Sequence, residues 1–200
     1  MSNPLHVLVV VGSLNRDSSI RDVLRLAARR LHDSGCAVDV LDLAEEPLPL
    51  FNSDTSWTAP GYSALKSRVE RAEVLLLGTP DYHGCMSGAL KNFLDHFWKE
   101  FAGKLIVSIV ASFEKGLTVT DQIRTAARQC YAWSLPYGVS FVDRTDAKEA
   151  QIASPEFAAR FEMMLRDLRV YGALLAVQRQ ADLAGTESGF LARYRTPTTR

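Results

Sequence analysis

The sequence predicts an open, doubly wound α/β fold, a parallel sheet with helices on both faces. Three observations predict it. Short apolar runs such as Val7-Leu8-Val9-Val10-Val11 and Val74-Leu75-Leu76-Leu77 are continuous and largely branched, as in strands buried on both faces. Stretches with apolar residues at helical spacing alternate with those runs. Finally, 200 residues with 47% hydrophobic and 23% charged content suit one globular domain, since a chain of this size buries roughly 70% of its unfolded surface.

The elements follow in order. The first strand ends at Gly12-Ser13. Ile20, Val23, Leu24, Ala27, Ala28 and Leu31 then mark an amphipathic helix, and Gly35 stops it. Ala37-Val38-Asp39-Val40-Leu41 is the second strand. Residues 44–59 are irregular but hold Leu48, Leu50, Phe51 and Trp57, so this stretch is expected to pack down. A helix over 61–72 leads to the third strand, which ends at Gly78-Thr79-Pro80. Residues 87–101 read as one helix, apolar nearly all round and therefore buried in its own fold or at a subunit contact. Residues 104–111 read as the fourth strand, 118–132 as a helix and 138–142 as the fifth strand. Ser154-Pro155 starts a last helix, a cap followed by proline at the first helical position, running to about residue 180. Five parallel strands with right-handed crossovers suit the order 2-1-3-4-5. Residues 1–180 are read as a single domain. Residues 181–200, polar with Phe190, Leu191 and Tyr194 embedded, are either a disordered tail or an oligomerisation arm. No internal repeat or low-complexity tract is present.

Composition narrows the function classes. With 23 basic and 23 acidic residues the formal net charge is zero, which argues against a nucleic-acid binder. Cys36, Cys85 and Cys130 form neither a disulfide framework nor a CxxC zinc pair, and Cys85 reads as a small apolar filler. His6, His32 and His96 lie too far apart in the pattern to suggest a metal cluster, so no metal is expected. The first apolar run is too short for a signal or membrane segment, so the expectation is a cytoplasmic protein with no membrane partner.

In an open sheet of this order, ligands bind beyond the carboxyl ends of the strands where strand order reverses. That selects the loops after strands one, three and four. The first, Gly12-Ser13-Leu14-Asn15-Arg16-Asp17-Ser18-Ser19, sets three hydroxyls, an amide and a cation before a helix N-terminus. These are the donors a phosphate monoester needs, alongside ordinary capping by Ser18 or Ser19. The loop lacks both GxxxxGK[ST] and GxGxxG. The second, Thr79-Pro80-Asp81-Tyr82-His83-Gly84-Cys85-Met86-Ser87, has a stiff exit at Pro80, an aromatic with a polar tip at Tyr82, and Gly84, where backbone can approach a flat ring. The alternative is an ordinary turn with a helix cap at Ser87.

Together these loops resemble the NADPH-dependent FMN reductase family, which has the flavodoxin-like fold. That family carries Gly-Ser-x-Arg-x-x-Ser-x-Asn after its first strand and Thr-Pro-Glu-Tyr-Asn-Gly-Ser-x-Pro-Gly-x-Leu-Lys-Asn-x-Leu-Asp after its third. Here the second motif continues through Gly88-Ala89-Leu90-Lys91-Asn92-Phe93-Leu94-Asp95. The resemblance covers residues 5–142. It implies that Ser13 and Ser18 hold an FMN phosphate; Ser19 joins them as the loop's third hydroxyl. It further implies that Pro80, Asp81 (for Glu), Tyr82, His83 (for Asn) and Gly84 cradle the isoalloxazine ring. The family's phosphate Arg falls on Asn15, with Arg16 one place later, and its Asn falls on Ile20, which offers only a backbone N–H. Where the family often has a glycine-rich loop near the flavin pyrimidine, this chain has Ser112-Phe113-Glu114-Lys115-Gly116.

The resemblance implies an NAD(P)H-dependent FMN reductase, with hydride transfer from NADPH or NADH to FMN and on to a second small acceptor such as free flavin or a quinone. The flavin would carry the chemistry without a dedicated acid–base residue; His83 stands either as a proton donor or as a turn residue. Backbone N–H groups of the Ser112 loop are expected to meet negative charge on the reduced ring. A homo-oligomer, dimer or tetramer, is implied through the 87–101 helix. The alternatives are a flavodoxin-type FMN electron carrier without NAD(P)H turnover, and a flavodoxin-like binding module that has lost flavin.

Overall fold

A computed structural model describes residues 3–113, 115–143, 145–148 and 151–195. Strand β1 (His6–Val11) leads into α1 (Ser19–Asp33) and β2 (Ala37–Asp42); α2 (Tyr62–Arg71) leads into β3 (Val74–Tyr82). The short β4 (Cys85–Met86) folds back on β3, and α3 (Gly88–Asp95) precedes β5 (Leu105–Ala111). Then come α4 (Leu117–Gln129), β6 (Trp133–Ser134), β7 (Val139–Phe141), the hairpin strands β8 (Ala147–Lys148) and β9 (Gln151–Ile152), and α5 (Pro155–Ala184). The main sheet runs β2-β1-β3-β5, with β6 and β7 both parallel to β5. Because β4 is only the return arm of a hairpin, this is the expected order with the fifth strand split in two. The residues separating the halves include Pro136, which lacks the N–H a continuous strand would donate.

Register places alternate residues of each buried strand on opposite faces. Val9 lies opposite Val40 and Leu76, and Leu76 opposite Val107. Val7, Val9 and Val11 join one core with Leu24, Leu31, Phe157 and Phe161, beneath α1 and α5. Leu8 and Val10 join the other with Leu65, Val69, Phe93 and Ile123, beneath α2, α3 and α4. A side chain at Gly78 would stand 2.2 Å from Leu24 Cδ1, so α1 lies directly on β3 there.

Several expectations need correction. The helix read over 87–101 is broken: α3 ends at Asp95, Trp98 takes φ −139° and ψ −74°, and a single 3₁₀ turn covers Lys99–Phe101. Packing overrides helical spacing here. Phe93, Phe97 and Phe101 stay buried while Trp98 turns outward, its N–H taken by the Glu100 carboxylate at 3.2 Å. The 44–59 stretch packs only in part. Phe51 N donates to Asn92 Oδ1 at 2.8 Å, and Asn92 Nδ2 donates to Pro49 O at 2.9 Å, while Leu50 stays exposed. Cys85 is exposed rather than a filler. Helix α5 runs to Ala184; beyond it Leu191 is buried beside Gly103, and Arg193 sits 5.1 Å over the Tyr131 ring. Residues 196–200 lie outside the described residues.

Candidate active site at the carboxyl ends of β1, β3 and β5

The first loop leaves β1 between β2 and β3. Gly12 N donates to Gly78 O at 2.8 Å, holding the start of the loop to β3. Ser13 is 1% exposed, and its Oγ has no partner among the described residues. An orphaned buried hydroxyl is costly, about 1–3 kcal/mol, unless a ligand satisfies it. Ser18 has the extended backbone of an N-cap, but its hydroxyl accepts no bond from the first turn of α1, contrary to the capping expected of it. The α1 N-terminus therefore keeps free N–H groups, including that of buried Ile20, and a positive dipole end. Asn15 Oδ1 accepts from Asp17 N at 3.1 Å and shapes the loop; Arg16 is exposed and Ser19 half-buried.

The second loop is a β-hairpin. Asp81 and Tyr82 of β3 pair with Met86 and Cys85 of β4. The two connecting residues, His83 and Gly84, have φ of +56° and +76°. Two positive φ values in a two-residue hairpin turn define the type I′ geometry that Asn-Gly satisfies best. His83→Asn is therefore expected to stabilise the protein by about 0.5 kcal/mol. The check is a higher urea midpoint at unchanged slope; a lower midpoint would mean that the His83 side chain is held by more than the turn. Asp81 Oδ1 accepts from Gly84 N at 2.8 Å, and Oδ2 accepts from Ser112 Oγ at 2.9 Å. One carboxylate thus fixes both the turn and its distance from the third loop. At the base, buried Thr79 Oγ1 accepts from Ser87 N at 2.9 Å. Ser87 caps α3 by accepting from Leu90 N at 3.1 Å, and its hydroxyl also donates to Gly12 O, joining the second loop to the first.

The third loop follows β5. Ser112 N donates to Phe141 O at 2.9 Å, so this one amide of the loop is spent on the sheet. Phe113 is 88% exposed, and Glu114 lies outside the described residues. Asp81, His83, Gly84, Ser112 and Phe113 wall a cleft of about 950 Å³ together with the loop from Lys115 to Thr118. Its far side is the N-terminus of α4, whose first N–H groups lack intrahelical acceptors. That helix end and the Lys115 ammonium are positive elements lining the cleft.

Of the residues singled out, Asp81, His83, Gly84, Ser112 and Phe113 share the cleft, with Pro80 and Tyr82 on the same hairpin. Ser13, Asn15, Arg16, Ser18, Ser19 and Ile20 do not wall it; they form a separate cradle, linked through Gly12, Gly78 and Ser87. Two contributors lie outside the loops that the sequence picks out. Arg21 is buried beneath the first loop against Asp42. Gln122 of α4 accepts from Met86 N at 3.2 Å and donates to Gly84 O at 3.1 Å, bracing the hairpin from behind. An arginine among the apolar positions of α1 was the one available signal for Arg21; Gln122 had none. Among the described residues no group of three or more His, Cys, Asp or Glu is placed to hold a metal ion, and no helix is long and apolar enough to cross a membrane.

A hydroxyl-lined cradle at a helix N-terminus, adjoining a cleft framed by a tight hairpin, fits a flat ligand carrying a phosphate monoester; the donors suit FMN. The fold and this site define a flavodoxin-like α/β protein. The family model described as NADPH-dependent FMN reductase matches residues 5–146, and the chain belongs to that family of FMN-using, nicotinamide-dependent oxidoreductases. An FMN-dependent NADPH-azoreductase of Staphylococcus haemolyticus is 32% identical over 112 residues, 52% of this chain and 58% of that protein, so the chain spans under two thirds of this relative. The FMN-dependent NADPH-azoreductase of Staphylococcus aureus is 27% identical over 151 residues, 70% of this chain and 79% of that protein. Among solved structures, an NADH:FMN oxidoreductase in its apo form superposes with a TM-score of 0.69 at 18% identity, covering 84% of this chain and 89% of that one. A flavoenzyme NAD(P)H:acceptor oxidoreductase from Paracoccus denitrificans gives 0.68 at 18% identity, covering 85% and 98%. At these identities the structural likeness bears on the fold.

Proposed function

We propose that this chain passes reducing equivalents from NADPH or NADH, by way of bound FMN, to a small second acceptor such as free flavin, a quinone or, as the names of its relatives suggest, an azo compound. The observation that carries the reading is the pairing of an orphaned buried Ser13 hydroxyl at an uncapped helix N-terminus with the hairpin cleft beside it. In this reading Ser13, Ser18 and Ser19 donate to the phosphate through their hydroxyls, and Asn15, Arg16 and Ile20 through the loop and first-turn amides. Pro80, Asp81, Tyr82, His83 and Gly84 would support the ring from the hairpin, and Ser112 and Phe113 from the third loop. Bound FMN supplies the two-electron chemistry. The protein fixes position: the Asp81 carboxylate holds hairpin and third loop at a set spacing, and the α4 N-terminus favours negative charge in the cleft. His83 shapes the rim of the cleft.

The reading extends to the assembly. Residues 1–180 act as one domain, with 181–200 as an arm at a homodimer or homotetramer contact. Exposed Trp57 and Trp98, around a hollow of about 510 Å³ that Arg193 and Tyr194 also line, support it. Free cysteines at positions 36, 85 and 130 suit work in the cytoplasm.

The test is an absorbance spectrum of the protein with FMN, followed anaerobically by NADPH and then NADH. Bleaching of the bound flavin by either nucleotide is the expected result. FMN that binds and stays oxidised with both would make the chain an electron carrier; absence of any flavin binding would leave only the fold.

A further inference from the structure

Arg21 is 3% exposed and lies at the start of α1, directly under the first loop. Its Nη1 donates to Asp42 Oδ2 at 2.5 Å, and its Nη2 donates to Ser13 O at 3.1 Å and Asn15 O at 3.3 Å. Asp42, 4% exposed at the end of β2, is itself fixed by accepting from Ala44 N at 3.1 Å. A buried guanidinium is tolerated only when paired and hydrogen-bonded, and here most of its capacity is spent on two loop carbonyls and one carboxylate. The consequence lies on the other side of those peptides. In a planar trans peptide the N–H points opposite to the C=O. With the carbonyls of Ser13 and Asn15 drawn down to Arg21, the N–H groups of Leu14 and Arg16 point up, away from the guanidinium. Both residues are exposed, and neither amide has a partner among the described residues. These two donors stand beside the orphaned Ser13 hydroxyl and the uncapped α1 N-terminus. Upturned amides on alternate residues of one loop, at a helix N-terminus, offer convergent donors to an anion.

We propose that Arg21, anchored by Asp42, is a positioning residue that presets the first loop as a phosphomonoester cradle, and so sets the chain's preference for FMN over its dephosphorylated counterpart, riboflavin. Arg21 touches no ligand. It acts through the Leu14 and Arg16 amides, and no flexible cation on the exposed side is required. The inference rests on the flavin reading above.

The experiment titrates FMN and riboflavin separately into the full chain, following flavin fluorescence at fixed salt. The wild type is compared with Arg21→Lys and with the paired variant Arg21→Met/Asp42→Asn, which leaves no stranded buried charge. The expected result is a fall of tenfold or more in the FMN-over-riboflavin preference, with riboflavin affinity within about threefold of wild type. Equal weakening of both flavins would mean a general structural role and would overturn the inference, as would an unchanged preference. A wild type that binds riboflavin as tightly as FMN also overturns it, while leaving flavin binding intact; a wild type that binds neither overturns the flavin reading and this one with it. Should neither variant fold, amide resonances of the wild type decide. Adding inorganic phosphate should move the Leu14 and Arg16 signals in a saturable way, and signals that stay in place overturn the inference.

Discussion

Gly12→Ala is expected to destabilise the protein by about 3 kcal/mol and to weaken FMN binding at least tenfold. A Cβ at Gly12 would lie 2.6 Å from Gly78 O and 2.9 Å from Leu90 Cβ. The first neighbour is backbone of a central strand and cannot swing aside. Gly78 in turn is fixed from the other face by Leu24, whose Cδ1 would stand 2.2 Å from a Cβ placed there. Relief therefore requires β1 and β3 to part at their carboxyl ends, breaking the bond from Gly12 N to Gly78 O and lifting the first loop off Ser87. Gly88→Ala is the matched control. It is also a glycine near the site, but nothing lies within 4 Å of its added Cβ and it begins α3. That change is expected to be neutral or to stabilise by up to about 1 kcal/mol. Chemical denaturation and flavin titration of both variants give the comparison. Equal behaviour of the two would mean that β1 and β3 are not tightly joined at the site.

Stability is expected to rise with pH through the range in which Lys104 titrates. Lys104 is 1% exposed, and its Nζ donates to Val69 O at 2.6 Å and Glu70 O at 2.9 Å, carbonyls of the last turn of α2. Burial, aided by the Arg179 guanidinium, pushes its pKa down to about 7, against the weaker pull of Glu70, Glu100 and Glu73. In the unfolded chain the same lysine titrates near its ordinary value of about 10.4. Below pH 7 both states hold the proton, and the native state bears the full burden of a buried charge. Between pH 7 and 10.4 the unfolded chain keeps the proton that the native protein has released. The unfolded state then binds more protons, so stability increases with pH, at up to about 1.4 kcal/mol per pH unit. Lys104→Met removes this dependence and leaves the two carbonyls without their donor at every pH. The stability difference, wild type minus variant, should move in favour of the wild type from pH 7 to pH 10. A flat difference would show that Lys104 keeps its proton in the native state.

The backbone of the account was legible in the sequence because parallel strands buried on both faces announce themselves. Val7 to Val11 and Val74 to Leu77 had no other sensible home. The His83-Gly84 turn was also visible, though as a place for a ring rather than as the type I′ geometry that explains those two residues. What stayed hidden depends on tertiary contacts. Helical spacing carried the 87–101 reading past His96, where the burial of Phe97 and Phe101 sets a different path. Arg16 sits in the loop itself, whereas Arg21, within the first turn of α1, orders that loop from below through a partner 21 residues away. Ser112 N bonds to Phe141 O of β7, a partner to which nothing in the third loop's own sequence points. In each case the missing information was a long-range partner.

A crystal structure of the protein grown with FMN tests most directly whether the loops after β1, β3 and β5 form one flavin site. The account predicts the phosphate within hydrogen-bonding distance of the Ser13 and Ser18 hydroxyls and the Leu14 and Arg16 amides, with the ring in the cleft between the His83-Gly84 turn and Phe113. A flavin bound elsewhere, or one whose phosphate points away from the 12–19 loop, would contradict it.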